Sequence, residues 1–413
     1  MIPTPLIQRR RLLQGLGLGL AALSPLARAS SPKAPQASKA TAAWSAIESA
    51  ARGQTVYFNA WGGGDTSNAY IAWAADEIAR RYGVTLRHVK VSDTADVVRR
   101  IQLESAQRQP GTVDLVWING ENFKTLKDGR LLFGPWAQQL PNWPLVDTRL
   151  PVMRDFSEST DGLESPWGKA QLTFIADRRQ VSTPPRSAAE WLAFARANPG
   201  RTSYPRPPDF HGTTFLKQLL LELAPDSAVL AQPVSDAPLA AATTPLWAWL
   251  DQIHPLQWRQ GREFPASAAE MNRMLGDGEL KLSLTFNPTE AAHLILKGDL
   301  PATCYSFGWT RGTIGNVHFL AIPANARAPA GAQVVANFLL SPQAQVRKAD
   351  VRVWGDPSVL KPEVLAQAQK AQGGAASQNL PGLLTETVPV RPEPHASWVS
   401  ALEREWLKRY GTR

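Results

Sequence analysis

The chain has 413 residues, of which 44% are hydrophobic and 19% charged, with 15 tryptophans and one cysteine. That exceeds what a single core usually needs and predicts two lobes or domains, and a lone cysteine excludes an internal disulfide. The formal charge of +9 falls to about +5 once residues 1–29 are set aside, and no Lys/Arg block is long enough to suggest a nucleic-acid surface.

The first segment reads as an export signal. Arg9-Arg10-Arg11 precede Leu12-Leu13, a weakly apolar, Gly-rich run extends from Gly15 to Leu26, and Ala27-Arg28-Ala29 has the A-x-A form of a cleavage site. The run is too short to span a bilayer, and the paired arginines Arg9 and Arg10 suggest the twin-arginine route. Cleavage is expected after Ala29. The lone cysteine, Cys304, is far from that point, so no lipid anchor is expected. Residues 30–42 are small, polar and Pro-containing, as in a disordered leader.

From Gln54 onward strand and helix alternate three times. Thr55–Trp61 is a nearly continuous apolar run ending at Gly62-Gly63-Gly64, and Tyr70, Ala74, Ile78 and Tyr82 then recur on one helical face. A second strand, Val84 to Val91, leads to Asp93, which can cap a helix carrying Val97, Val98 and Ile101. A third, Val113 to Asn119, gives way to a short helix through Phe123 and Leu126. Strands this apolar, separated by helices, predict a parallel sheet covered on both faces.

A second α/β unit follows. After the turn-rich Glu164–Gly168 come a strand at 171–176 and helices at 187–197, 213–223, 246–253 and 267–275, then strands at 280–286 and 316–322 and a helix at 331–340. In the last helix Val399, Leu402, Trp406 and Tyr410 share a face, and Glu405 can pair with Arg409.

Ligands of open parallel sheets sit beyond the carboxyl ends of the strands. That rule selects the loops Trp61–Asp65, Asn119–Asn122, Ser165–Gly168 and Tyr204–Thr213, with Asn287 and Tyr305–Trp309. Their aromatics, amides and glycines suit stacking and hydrogen bonding, although a tryptophan serves a core more often than a ligand. Trp61, Trp167, Tyr204, Tyr305 and Trp309 offer π-faces, Asp65, Glu121 and Asp209 offer carboxylates, and Arg206 and Arg311 are the nearby cations. The inventory favours an organic cation or flat heterocycle. A small carboxylate or phosphate ester on Arg206 and the helix N-terminus near Thr213 is the alternative.

Enzyme signatures are sparse. There is no G-x-S-x-G, and the six histidines form no H-E-x-x-H or other metal spacing. Gly162 to Lys169 imitates a P-loop but has five residues between its glycines, where four are required, and Ala170 where Ser or Thr is required. No cofactor motif occurs.

Eight phrases, in order, carry a resemblance: TVYFNAWGGG, VDLVWINGENFKTLKDG, ESPWGKAQLTFIADRR, YPRPPDFHGTTFLKQLLLEL, LSLTFNP, YSFGWTRGTIGNVHFLAIPANA, VVANFLLSP and RKADVRVWGDPSVL. Together they resemble a group of periplasmic solute-binding proteins of ABC transporters, over nearly all of residues 43–411. The resemblance implies the α/β, two-lobed type II periplasmic-binding fold with a ligand cleft between the lobes. The chain would cross near Trp167–Thr173 and Asn316–Ile322, making lobe one 43–168 plus 318–350 and lobe two 169–317 plus 351–413.

Carried onto this chain by loop position, the ligand residues would be Trp61, Gly62, Asn119, Glu121, Asn122, Trp167, Tyr204, Asp209, Asn287 and Tyr305. The implied function is capture of a small solute by hinge closure in the periplasm, as a monomer without cofactor, metal or nucleic acid, and delivery to inner-membrane permease subunits. An exported, twin-arginine-dependent enzyme such as a hydrolase is the competing function.

Overall fold

The computed structural model describes residues 39–372 and 380–411. The signal sequence and most of the leader lie outside the described residues. The leader's end does not: residues 39–42 begin helix α1, Lys39–Ala51, which packs Trp44, Ile47 and Ala51 onto the first core.

The first lobe then follows the expected alternation. Strands β1 (Thr55–Trp61), β2 (Thr85–Val91) and β3 (Leu115–Ile118) are interleaved with helices α2 (Asp65–Tyr82), α3 (Thr94–Ala106) and α4 (Gly120–Asp128). Asp93 caps α3 by accepting from the Ala95 N–H, and Gly83, at φ 65°, ends α2 in a left-handed conformation open to glycine. Both β2 and β3 pair with β1 in parallel.

A two-stranded hairpin, β4 (Arg154–Asp155) and β5 (Glu158–Ser159), precedes β6 (Glu164–Gln171). Glu164–Gly168, read from the sequence as a turn, is therefore strand. Pro166 sits where the pairing register shifts, one of the few places a sheet accepts proline.

The second lobe contains β7 (Thr173–Asp177), α5 (Ala188–Ala197), α6 (Phe210–Leu223), α7 (Asp236–Ile253), α8 (Ala268–Gly276), β8 (Leu282–Thr285), α9 (Glu290–Lys297) and β9 (Cys304–Phe307). Its sheet is antiparallel, in the order β8-β7-β9. The chain returns through β10 (Thr313–Ala321), antiparallel to both β3 and β6, to α10 (Pro329–Leu339), α11 (Pro342–Ala349) and α12 (Pro362–Ala371). Last come β11 (Val390–Arg391), parallel to β10, and α13 (Ser397–Tyr410).

Two large hydrophobic cores follow this division. One gathers Phe58, Tyr70, Ile101, Val116 and Trp167 with Val317 to Leu340, and the other gathers Phe174, Trp191, Phe215, Leu250 and Ile314 with Trp398, Leu402 and Trp406. Burying each large apolar side chain of α13 is worth about 1.5–3 kcal/mol, which fixes the last helix to the second lobe. Trp354, Val359 and Leu360 join the first core, although 351–413 was expected with the second lobe. The residues of α13 instead pack in the second core.

Between the cores run β6 and β10. Leu172 N–H donates to the Ile314 carbonyl, and the Gln218 side chain brackets the same point, donating to the Gly312 carbonyl and accepting from the Ile314 N–H. Ile314 lies in the second core and Val317 in the first, so this crossing starts slightly earlier than Asn316.

Candidate functional site

The carboxyl ends of β1, β2 and β3 lie side by side in the parallel part of the sheet. At the end of β1, Trp61 is 44% exposed. Its indole folds over its own loop: a Cβ on Gly63 would stand 2.6 Å from Trp61 Cζ2 and one on Gly64 2.9 Å from Cζ3, so glycines are needed there. Gly62 is pinned by its N–H to the Val91 carbonyl and by the Asn68 amide on its own carbonyl.

After β3, the Asn119 side-chain amide donates to the Val317 carbonyl, tying this loop to the crossing strand. Gly120 has φ 55°, and a Cβ there would fall 2.5 Å from the Phe156 ring. Its N–H donates to Asp155 Oδ2 at 2.7 Å, so the β4–β5 hairpin is held against the start of α4. Phe156 and Ser157 turn that hairpin with φ of 41° and 76°, and Phe156 points its ring towards the second lobe.

That ring meets Lys217 of α6, whose Nζ is 4.7 Å from its centroid and 5.9 Å from that of Phe210. Lys217 also donates to Glu393 Oε2 at 2.7 Å, with both side chains 2% exposed. The other Glu393 oxygen accepts from the Asn316 amide. Glu393 follows β11, Asn316 is on β10 and Phe156 belongs to the first lobe, so one buried cation joins both lobes and the crossing.

Carboxyl groups surround this point. Burial, together with Glu403 and Glu393, pushes Glu121 up to about 6, against the pull of its own backbone N–H and of Lys217. Burial raises Glu403 too, opposed by the Thr213 hydroxyl, which donates to Glu403 Oε1 at 2.8 Å. Asp155 and Glu164 are raised further by burial, and the neighbouring acids add to it. Asp155 Oδ1 and both Glu164 carboxyl oxygens are buried without a partner among the described residues. The arrangement has an excess of carboxyl groups, aromatic faces and one cation already neutralised, which suits it to hold positive charge.

The residues expected at the site are not all here. Trp61, Gly62, Asn119, Glu121 and the half-buried Asn122 lie together at the first lobe's strand ends. Trp167 is completely buried among Phe58, Tyr70, Trp117 and Trp354. Tyr204 is core rather than cleft: it is fully buried, and its hydroxyl accepts from Trp406 Nε1 and faces His254 Nε2 at 2.7 Å.

Asp209 caps α6 by accepting from the His211 and Gly212 N–H groups, so its own carboxylate occupies the helix end where an anion had been considered. Arg206 donates to the Gly411 carbonyl. Asn287 turns inward to Thr289, at the start of α9, and the Thr289 hydroxyl donates to the Gly355 carbonyl of the first core's side. Tyr305 donates to the Val181 carbonyl and lines a separate recess of about 540 Å³ with Arg178, Arg186 and Glu386, none of which borders the acidic cleft.

Sequence reasoning missed Lys217, Glu393, Glu403, Asp155, Phe156 and Phe210. Only Lys217 left a signal, a charge set among Phe215, Leu216, Leu219 and Leu220 on a largely apolar helix. Among the described residues no group of three or more His, Cys, Asp or Glu is placed to hold a metal ion, and no helix is long and apolar enough to cross a membrane.

Four likenesses bear on this geometry. Residues 73–376 match the family model of bacterial extracellular solute-binding proteins. The chain is 55% identical over 372 residues to protein YnjB of Escherichia coli, covering 89% of this chain and 94% of YnjB. Its fold matches that of the periplasmic binding protein AfuA from Actinobacillus pleuropneumoniae, with fructose-6-phosphate bound (TM-score 0.59, 13% identity, 87% of this chain and 100% of the other). It also matches the spermidine/putrescine substrate-binding protein PotD from Streptococcus pneumoniae (TM-score 0.59, 13% identity, 87% and 99%). The fold is the two-lobed α/β type II periplasmic-binding architecture.

Proposed function

Because the chain belongs to the bacterial extracellular solute-binding protein family, we infer that it is the substrate-binding component of an ABC importer. It captures a small organic cation or protonated heterocycle between its lobes and delivers it to permease subunits at the inner membrane. It works in the periplasm, exported by the signal in residues 1–29, as a monomer and without a reaction of its own. The lobes are 43–168 with 317–372, and 169–316 with 380–411.

The carrying observation is the acidic cleft around Lys217. Groups from both lobes and from the crossing strand meet there, with Glu121 and Phe156 on one side and Glu403, Glu393 and Phe210 on the other. A ligand that contacts both sides favours the closed arrangement by its extra contacts there. The alternative small anion is disfavoured at the α6 N-terminus, where the Asp209 carboxylate itself caps the helix.

Thermal unfolding across a library of metabolites tests the reading. A bound solute raises stability by about 2.7 kcal/mol at a hundredfold excess over Kd, and a binding protein returns it chemically unchanged. A solute that is consumed would favour the exported enzyme, and a library without any stabilising member would count against solute binding.

A further inference from the structure

We propose that the turn opening α9 and the loop 350–356 form a latch of the closed state, in which Thr289 and His293 of the second lobe bond to carbonyls of the first. This rests on the solute-binding reading above and adds to it a contact that the lobes make with one another.

Each half of the latch is held firmly by its own lobe. On the second lobe, the Asn287 side chain accepts from the Thr289 N–H at 3.1 Å, and Ala291, Leu294 and Ile295 seat α9 on a small core with Ile175 and Cys304. On the first lobe, the Asp350 carbonyl accepts from the N–H groups of Val353, Trp354 and Gly355, which coils the loop tightly. Trp354 packs into the first core, and Lys348 Nζ donates to the carbonyls of Asp356 and Pro357 at the loop's far end.

Two hydrogen bonds join the halves. The Thr289 hydroxyl donates to the Gly355 carbonyl at 2.8 Å, and His293 Nδ1 lies 3.1 Å from the Val351 carbonyl. A carbonyl only accepts, so Nδ1 carries the proton there. Gly355 has φ 80°, and a Cβ on it would stand 2.1 Å from Thr289 Oγ1, so only glycine allows this approach.

Both donors are half-buried side chains, and water can take over their bonds when the lobes part. The crossing differs. Leu172, Gln218 and Ile314 are all buried, so separation there would strand buried polar groups. The crossing is therefore the lasting connection, and the α9 contact is the separable one.

The latch also has a distinctive place in the fold. The Lys169 N–H donates to the Pro357 carbonyl on the edge of β6 that faces away from β10. On the other edge of this ribbon, β11 pairs with β10 and leads to His395, which lies 3.2 Å from Glu158 of the first lobe. A two-stranded ribbon can twist as well as bend. Contacts on both of its edges are made together in a single orientation of the lobes, so the latch fixes how the lobes close as well as whether they do.

Calorimetry on the full mature chain first identifies a binding cation among putrescine, spermidine, thiamine and choline. Nitroxides are then placed at cysteines replacing Lys297 on α9 and Arg352 in the loop, whose side chains are 48% and 60% exposed. Electron resonance should show a short and a longer separation, and the cation should enlarge the short population. A single short separation, the same with and without the cation, would make the contact a fixed pivot and overturn the latch. Thr289→Val keeps the shape and loses the hydroxyl. It should shrink the short population and speed cation dissociation roughly fivefold in stopped-flow fluorescence, about what one neutral hydrogen bond carries. Thr289→Ser should recover most of that loss. If Thr289→Val matches the wild type in both readouts, the latch is wrong and solute binding stands. If none of the four cations binds, the cationic reading fails, and the latch is judged by the short population of Thr289→Val without solute, where no change overturns it.

Discussion

Lys217 Nζ and Glu393 Oε2 lie 2.7 Å apart with both side chains 2% exposed, joining α6 to the segment after β11 at a point 176 residues apart in the chain. Removing one partner leaves the other charged and buried, which costs about 3–5 kcal/mol. Lys217→Met and Glu393→Gln should each lose about that much in urea unfolding, and the double variant should recover a large part of it. Additive losses in the double variant would mean that the two side chains act separately.

Gly168 is predicted to be irreplaceable even by alanine. An added Cβ would stand 2.0 Å from His318 Nε2 and 2.1 Å from Asp356 Oδ2. Asp356 is the buried counterion of Lys348 and lies 3.1 Å from His318 Nε2, so the methyl group must push a buried charge from its partners. Gly168→Ala should lower stability by roughly 3 kcal/mol or more, combining overpacking with the damaged ion pair. A change within experimental error would show that the β6–β10 crossing has slack.

Cation binding should depend on pH through Glu121, whose carboxyl is pushed up to about 6, first by burial. A cation binds the ionised form, so protons compete below that value. Affinity should fall about tenfold per pH unit below 6 and level off above it. Glu121→Gln should flatten this part of the profile, with Glu403, also raised by burial, supplying any remaining slope. Affinity that rises on acidification would contradict the assignment.

The hairpin should act as a clasp. His395 Nδ1 accepts from the Ser397 N–H, which places the proton on Nε2, 3.2 Å from Glu158 Oε1 across the lobes. His395→Ala removes one such bond, worth about 0.5–1.5 kcal/mol. Ligand dissociation should therefore speed up several-fold in stopped-flow measurements, with little loss of overall stability. An unchanged dissociation rate would show that the clasp plays no part in closure.

The first lobe was legible because β1 and β3 are apolar runs closed near Gly, and the mixed strand β2 is closed by the capping Asp93, so the three strands fall where those signals stand. The strand-end rule also picked out Trp61, Asn119 and Glu121, which lie together at the ends of β1 and β3. It failed for Tyr204, because a strand-end tyrosine looks the same in sequence whether it faces a cleft or, as here, a partner helix 202 residues away. Asp155, Glu393 and Glu403 were invisible for a related reason. Each is an ordinary acid in its own segment, and only the tertiary fold brings them to Lys217.

Hinge closure around a solute is the central claim, and the distance between the lobes tests it most directly. Cys304 is the only cysteine and is buried, so nitroxide labels can be placed selectively at cysteines replacing Arg99 on α3 and Arg273 on α8, whose side chains are 65% and 62% exposed. Pulsed electron resonance with and without the cation that binds in calorimetry should show a broad distance distribution collapsing to one narrow population. An unchanged distribution with the cation bound would contradict the account.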